Sequence, residues 1–205
     1  MHEYKAQTFN LPKLEGISEE SVKQHISLYE GYVKNFNSMT SQLVELLKDS
    51  DPAAAAGAGK NVHPIAELVR RRAFEFDGMR LHEYYFEQLV GGGKPISSGG
   101  RLTKALESEY DRVDGFEKFI KQVAATRGPG WAILYYDAKA KELNTGFVGE
   151  QHQGHFVTLP IILALDVWEH AYILDYGTLG RGKYVEAFFK NLNWGVIEKR
   201  FDELS

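Results

Sequence analysis

The 205-residue chain contains no cysteine. This absence excludes disulfide bonds, thiolate zinc sites and cysteine nucleophiles, so that only histidine, aspartate or glutamate could hold a metal ion. An excess of basic residues is also missing, because 24 Lys and Arg stand against 28 Asp and Glu, which gives a net charge of −4. Nucleic-acid-binding proteins usually carry a basic excess, and we therefore expect no nucleic-acid partner.

Long apolar runs are missing as well. No stretch approaches the roughly 18–20 apolar residues that cross a membrane, so we expect no membrane partner. The first residues, MHEYKAQTFNLPKLEG, have neither the basic part nor the apolar part of a signal peptide. The sequence therefore predicts a cytoplasmic protein.

Two segments rich in small residues divide the chain. DPAAAAGAGK (51–60) is typical of a loop, and GGGKPISSGG (91–100) is typical of a linker. We predict an N-terminal helical hairpin domain over residues 1–90 and a C-terminal α+β domain over residues 91–205.

The N-terminal part predicts two long helices. Ser18 is a candidate N-cap, followed by Glu19 and Glu20 in the first turn, where the helix dipole favours acidic residues. Large side chains then recur every three or four residues, as they also do in the segment from 63 to 89. Two such helices joined by a loop predict an antiparallel hairpin, with His25 and His82 facing one core.

The C-terminal part predicts mixed structure. Residues 101–127 have the pattern of two helices, and residues 182–201 that of one closing helix. Between them, candidate strands cover 131–137, 142–148 and 158–166. Short loops between successive strands favour an antiparallel sheet. The predicted fold class is α+β, with a helical hairpin followed by a three-stranded antiparallel sheet and flanking helices.

The third strand contains the most informative feature, because its apolar run ends in Asp166 and His170 follows four residues later. An unpaired carboxylate there would destabilise the fold by several kcal/mol. Three imidazoles (His25, His82, His170) and Asp166 would form a ligand set for Fe, Mn or Zn. Taken singly, each histidine is more often a core residue that is hydrogen-bonded to a carbonyl group, and Asp166 is more often a cap for the next turn. The spacing alone does not show that the four side chains converge.

The sequence DVWEHAY (166–172) resembles the signature of the iron/manganese superoxide dismutases. The resemblance covers nearly the whole chain and includes HISLYEGYVKNFN (25–37), FDGMRLHEYYFEQL (76–89), GPGWAILYY (128–136) and DYGTLGRGKYVEAFFKNLNW (175–194). It implies one iron or manganese ion per subunit, held by His25, His82, Asp166 and His170. It also implies an antioxidant enzyme, an oxidoreductase that converts superoxide to O₂ and H₂O₂.

The same resemblance implies roles for residues around the metal. Tyr32 corresponds to a gateway residue that relays protons, and Trp131 and Trp168 are expected to wall the pocket. Arg181 matches an arginine near the substrate funnel. Ordinary core packing would also explain the aromatic residues, and a solvated surface position would explain Arg181.

A histidine or glutamine that bonds the solvent on the metal is expected from EQHQGH (150–155). We predict His152, with His155 as the alternative. Glu169 is expected to bond the partner subunit's His170, which would make the protein a homodimer or a dimer of dimers.

The first helix departs from the family pattern. His25 precedes Tyr32 by seven residues, one fewer than in most relatives, and seven residues still place both on one helix face. This predicts a helix without a π-bulge, whereas an alternative alignment would put Gln24 at the ligand position. The gateway histidine of the family is absent, and we predict a modified proton relay in which Tyr29 takes part.

Two other functions remain open from the sequence. One is a different mononuclear metalloenzyme on the same ligand set, and the other is a catalytically silent, structural relative of the dismutases. The presence of all four candidate ligands and of Glu169 favours the dismutase.

Overall fold

The computed structural model describes residues 3–48 and 62–204. The loop predicted at 51–60 lies outside the described residues. Within them, helix α1 covers Glu19–Lys48 and helix α2 covers Val62–Glu87. None of the helices in these two ranges is long and apolar enough to cross a membrane.

Helices α1 and α2 form the antiparallel hairpin that the sequence predicts. Phe36 meets Phe76 in one part of the hairpin and His25 meets Phe86 in another, so residue numbers rise along one helix as they fall along the other. At the start of α1, the Ser18 hydroxyl accepts a hydrogen bond from the backbone N–H of Ser21, which confirms the predicted cap.

The C-terminal part contains the two predicted helices and the predicted sheet. Helices α3 (Arg101–Tyr110) and α4 (Val113–Ala124) precede strands β1 (Gly130–Asp137), β2 (Glu142–Gly149) and β3 (Ile161–Asp166). The strands are antiparallel in the order β2-β1-β3. The pairing of β1 with β3 places Trp131 opposite Asp166, so two predicted site residues are neighbours across the sheet.

The end of the chain corrects the prediction of a single helix over 182–201. The structure has α6 (Arg181–Asn191) and α7 (Trp194–Asp202), preceded by a 3-10 turn at Glu169–Ala171 and a short helix α5 at Ile173–Tyr176. Asn193 breaks the long helix, because its side chain accepts from the Gly195 N–H and donates to the Val90 carbonyl. The apolar spacing continues through this break, so periodicity alone could not reveal it.

The end of α2 is attached directly to β3. The buried side chain of Gln88 donates to the backbone carbonyl of Ala164 and accepts from the backbone N–H of the same residue. Arg200 of α7 bonds the carbonyls of Tyr84 and Ile162, which ties the same two elements together. These contacts bring His82 to the end of β3, and the buried side chains of both halves form one core. The domain boundary at residue 90 stays a prediction.

Candidate metal centre

Four secondary-structure elements each contribute one candidate ligand side chain to the same cluster. His25 comes from α1, His82 from α2, Asp166 from the last position of β3 and His170 from the 3-10 turn. Their candidate ligand atoms all lie within 4.8 Å of one another. The side chains of the first three are buried, and that of His170 is 24% exposed.

The Asp166 carboxylate lies at the centre of this cluster. Its Oδ2 atom is 3.1 Å from His25 Nε2, 3.0 Å from His170 Nε2 and 3.6 Å from His82 Nε2. Its Oδ1 atom accepts a hydrogen bond of 2.8 Å from the backbone N–H of Trp168. One oxygen therefore holds the turn after β3 in place, while the other faces three imidazoles.

The orientation of His82 shows that the cluster fits a metal ion. Its Nδ1 atom lies 2.6 Å from the Gly78 carbonyl, which only accepts, so Nδ1 carries the proton and Nε2 carries the lone pair. That Nε2 is buried without a hydrogen-bond partner in the described part of the chain. An orphaned buried nitrogen is costly unless it binds something, and a backbone bond from the other ring nitrogen is typical of metal-ligating histidines.

The protonation states of these groups also suit metal binding. Burial lowers the pKa of His82 to about 3, and it lowers the pKa of His25 as well. Burial alone would raise the pKa of Asp166, but its contacts with His170 and His25 outweigh that effect and hold the pKa well below its usual range. At neutral pH the site therefore offers neutral buried imidazoles and an ionised carboxylate, as metal ligands require.

These pKa shifts predict that the metal-free protein loses stability on acidification. His82 faces His25, Asp166 and His170, and its pKa of about 3 in the fold compares with about 6.5 in the unfolded chain. The unfolded chain therefore binds more protons between these values, and His82 alone should lower the free energy of unfolding by about 2 kcal/mol from pH 7 to pH 5.

Urea unfolding of the metal-free protein at the two pH values measures this difference. The lowered pKa of His25 acts in the same direction, while the contribution of Asp166 is lost only below pH ~4, where its unfolded form titrates. His82→Gln should reduce the pH dependence. Equal stability at both pH values would contradict a neutral His82 imidazole in the folded protein.

Aromatic rings surround the histidine ligands. The ring of His82 packs edge-on against Trp131 at 5.1 Å and lies 5.2 Å from the ring of Tyr32. Trp168 stacks on His170 at 5.7 Å. Trp131, Trp168 and Tyr32 thus lie against the candidate histidine ligands.

Gln151 joins two of these aromatic residues, although it is not among the site residues predicted from the sequence. Its side chain is fully buried; the Oε1 atom accepts from Trp131 Nε1–H at 2.8 Å, and the Nε2 atom donates to the Tyr32 hydroxyl at 2.9 Å. Gln151, next in sequence to His152, is thus the residue of this turn that contacts both Tyr32 and Trp131, while the bond from His152 to solvent on the metal stays a prediction. A gap-free reading of EQHQ would have pointed to this glutamine.

His152 lies on the same turn and is 22% exposed. Its ring packs edge-on against Phe74 at 5.5 Å, and its Nδ1 atom is 3.9 Å from the Glu150 carboxylate. That buried Nδ1 atom has no hydrogen-bond partner among residues 3–48 and 62–204. Successive residues of a turn point in different directions, so Gln151 and His152 have different neighbours.

Arg181 and Glu169 lie on a more open part of the surface. Both line a cavity of about 850 Å³ together with Tyr172 and Leu179. The Arg181 guanidinium donates to the carbonyls of Thr126 and Gly128, at 2.7 and 2.9 Å. Glu169 is exposed in the single chain. The structure thus places Arg181 beside the turn that carries His170, and not among the metal ligands.

Helix α1 accommodates its shorter motif without distortion. It is α-helical throughout Glu19–Lys48, without a π segment, as predicted. His25 is 4% exposed and faces the cluster, whereas Gln24 is exposed and donates to Glu20. The alternative ligand position at Gln24 is therefore wrong.

Tyr29 is engaged in a contact that does not suit the predicted proton relay. The residue is fully buried; its hydroxyl donates to Glu83 Oε1 at 3.0 Å and accepts from the Gln7 backbone N–H at 2.8 Å. Glu83 is in turn held by Arg80 at 2.5 Å. Tyr29 thus anchors the N-terminal segment on the helical hairpin.

Tyr29→Phe should therefore reduce stability and leave turnover nearly unchanged. The substitution removes one partner of the buried Glu83 carboxylate and of the Gln7 N–H, a loss of about 1–3 kcal/mol in the free energy of unfolding. Urea unfolding and superoxide consumption measure the two effects. Tyr32→Phe is the comparison, because its hydroxyl contacts Gln151 beside the ligands. Slow turnover at unchanged stability would restore the relay role of Tyr29.

The geometry defines a mononuclear metal centre of three histidines and one aspartate, and comparison with known proteins agrees with it. The sequence profile described as "Iron/manganese superoxide dismutases, C-terminal domain" matches residues 98–200. The chain is 35% identical over 191 residues to "Superoxide dismutase [Fe]" of Aquifex aeolicus, covering 93% of this chain and 86% of that protein.

Two further proteins show the same relationship. The identity is 32% over 193 residues to "Superoxide dismutase [Fe]" of Saccharolobus solfataricus, with 91% and 86% of the two chains covered. It is 32% over 207 residues to "Superoxide dismutase [Mn] 2" of Halobacterium salinarum, with 99% and 96% covered. The chain belongs to the iron/manganese superoxide dismutase family.

Proposed function

We propose that the protein is a superoxide dismutase that uses one iron or manganese ion per subunit. The observation that carries this proposal is the convergence of His25, His82, Asp166 and His170, where the buried Nε2 atom of His82 has no hydrogen-bond partner among the described residues. Relatives named for iron and for manganese both cover most of the chain, so either ion fits.

A bound iron or manganese ion would supply one-electron redox chemistry, through which two superoxide ions and two protons would become O₂ and H₂O₂. Zinc cannot perform this chemistry, because it has no accessible redox change. The three imidazoles and the carboxylate of the chain would bind and orient the ion. Asp166, as an anion, would favour its oxidised state, and hydrogen bonds around the ligands would adjust its potential.

Tyr32 is the group suited to donate a proton in the reaction, and Gln151 is suited to orient it. Burial raises the pKa of Tyr32 to about 12, so its hydroxyl keeps its proton at neutral pH. Because that hydroxyl accepts from Gln151 Nε2, its own proton is free to be donated onward. Trp131 fixes the other end of the Gln151 amide.

The test of this function is a superoxide-consumption assay on the purified protein loaded separately with iron, manganese and zinc. We expect rapid dismutation with iron, with manganese or with both, and none with zinc. A protein that binds stoichiometric iron or manganese without dismutating would contradict the proposal and favour the silent, structural alternative. Zinc-dependent hydrolysis would favour another metalloenzyme.

We further propose that the protein acts as a homodimer or a dimer of dimers. The single chain exposes Glu169 beside the partly exposed His170, and the apolar side chains of Ile173 and Leu174 nearby are 43% and 49% exposed. A contact between Glu169 and the partner subunit's His170 would use these surfaces and make assembly part of the metal site. The cytoplasmic location and the lack of nucleic-acid and membrane partners stay predictions from composition.

Glu169→Ala should therefore weaken the dimer and lower metal occupancy together. The carboxylate lost would be the outer partner of a ligand histidine, a loss typically worth about 10–100-fold in metal affinity or activity. Light scattering and metal analysis measure the two effects, with Glu203→Ala on the exposed end of α7 as the control. A Glu169→Ala protein with the assembly and metal content of the parent would contradict the proposed interface.

A further inference from the structure

We propose that His155 is a positioning residue, which sets the place of Gln151 by linking its backbone to the hydroxyl of Tyr135. The significance of this link for catalysis rests on the proposed function, but the link itself does not. His155 lies on the turn after β2 and is partly exposed, and none of its contacts is with a metal ligand.

The turn that carries Gln151 is fixed at its two ends. Gly149 and Gln153 exchange two backbone hydrogen bonds, of 2.8 and 3.0 Å. Glu150 has a φ of +52° and donates its backbone N–H to the Pro129 carbonyl at 3.1 Å. Between these points, the Gln151 carbonyl has one hydrogen-bond partner in the described residues, which is His155 Nε2 at 3.1 Å.

The contacts of the His155 ring define its tautomer. The Gln151 carbonyl can only accept, so Nε2 must carry the hydrogen and donate it. In the neutral ring Nδ1 then accepts from the Tyr135 hydroxyl, at 3.0 Å. Asp77 Oδ2 lies 3.9 Å from Nε2 and favours a hydrogen on that nitrogen. The ring of His155 thus accepts a hydrogen bond from Tyr135 and donates one to the carbonyl of Gln151.

The anchor of this link is rigid. Tyr135 is 1% exposed in the central strand β1, which pairs with strands on both sides. Tyr135 and Trp131 are four residues apart on this strand and therefore point to the same face of the sheet. Trp131 holds the side chain of Gln151, and Tyr135 holds its backbone through His155. Strand β1 therefore fixes Gln151 at two points.

Two substitutions separate the halves of this link. His155→Asn can keep an acceptor near Tyr135 but loses the donor to the Gln151 carbonyl, whereas His155→Gln can place an amide N–H near the lost Nε2–H.

The readout is the indole N–H resonance of Trp131 in the ¹H–¹⁵N spectrum of the metal-free, full-length protein. The chain has three tryptophans, and the Trp131 signal is identified by its absence in Trp131→Phe.

In His155→Asn we expect the Trp131 indole proton to move upfield and to exchange with water about tenfold faster, a factor equivalent to about 1.4 kcal/mol. His155→Gln should restore most of both changes, and the Trp194 signal should stay in place. Tyr135→Phe, which removes only the anchoring hydroxyl, should change the Trp131 signal in the same direction and provides the test if His155→Asn does not fold.

An unchanged Trp131 signal in a folded His155→Asn or Tyr135→Phe protein would overturn the proposal, even if the melting temperature fell. A changed signal that His155→Gln does not restore would also overturn it, because Nε2–H would then not be the group that matters. These outcomes are independent of the dismutase assay on the unsubstituted protein, so failure of this inference is distinguishable from failure of the proposed function.

Discussion

Replacing Asp166 with asparagine should empty the metal site and abolish superoxide dismutation. The carboxylate supplies the one anionic ligand of the cluster, and its Oδ2 atom is 3.0–3.6 Å from the Nε2 atoms of three imidazoles. An asparagine has the same shape, but it would present either a neutral oxygen or an N–H donor to these nitrogens. We expect metal affinity to fall by more than the factor of about 10–100 that the loss of an outer partner causes.

The measurement is metal content per subunit after loading with iron or manganese, together with the dismutation rate. Asp202→Asn provides a matched control, because Asp202 is an exposed carboxylate at the end of α7 that pairs with Arg101. It should retain full occupancy and activity. Stoichiometric iron or manganese with rapid dismutation in Asp166→Asn would contradict the assignment of the ligands.

The second large effect is expected at Gln151. Truncation to alanine should slow dismutation by about 10–100-fold at nearly unchanged metal content, because Gln151 is a partner of groups around the ligands and not a ligand. The substitution leaves the Trp131 indole N–H buried without its acceptor and removes the amide that donates to Tyr32. The loss of a buried hydrogen-bond partner should also lower stability by about 1–3 kcal/mol.

His152→Ala and Gln153→Ala are the comparisons for Gln151→Ala, because they truncate the two neighbouring side chains on the same turn. Neither neighbour bonds Tyr32 or Trp131 within the described chain. Rapid-mixing measurements of superoxide decay should therefore rank Gln151→Ala as the slow variant. A slow His152→Ala with a near-normal Gln151→Ala would contradict the structure and restore the sequence-based prediction.

The main elements could be predicted from the sequence because each depends on a regular pattern, whereas the set of four candidate ligands was implied only by the family resemblance. Apolar spacing located the hairpin, and with it the burial of His25 and His82. The apolar run ending in Asp166 located the end of β3. A seven-residue spacing between His25 and Tyr32 was enough to predict an uninterrupted helix, because it is close to two regular turns.

Details that depend on single side-chain contacts could not be predicted in the same way. A turn in which Glu150 has a positive φ decides whether Gln151 or His152 contacts Tyr32 and Trp131. Neither the periodicity nor the composition of the sequence predicts that backbone conformation. The hydroxyl of Tyr29 bonds Glu83, which is 54 residues distant along the chain. The break at Asn193 depends on the carbonyl of Val90, more than a hundred positions earlier.

The measurement that tests the four-ligand metal centre most directly is anomalous X-ray diffraction from crystals of the metal-loaded protein, recorded at the iron and manganese absorption edges. We predict one iron or manganese peak per subunit, in contact with the Nε2 atoms of His25, His82 and His170 and with a carboxylate oxygen of Asp166. An iron or manganese peak at another place would contradict the four-ligand metal centre. So would crystals of the metal-loaded protein in which the same four side chains contact one another with no iron or manganese between them.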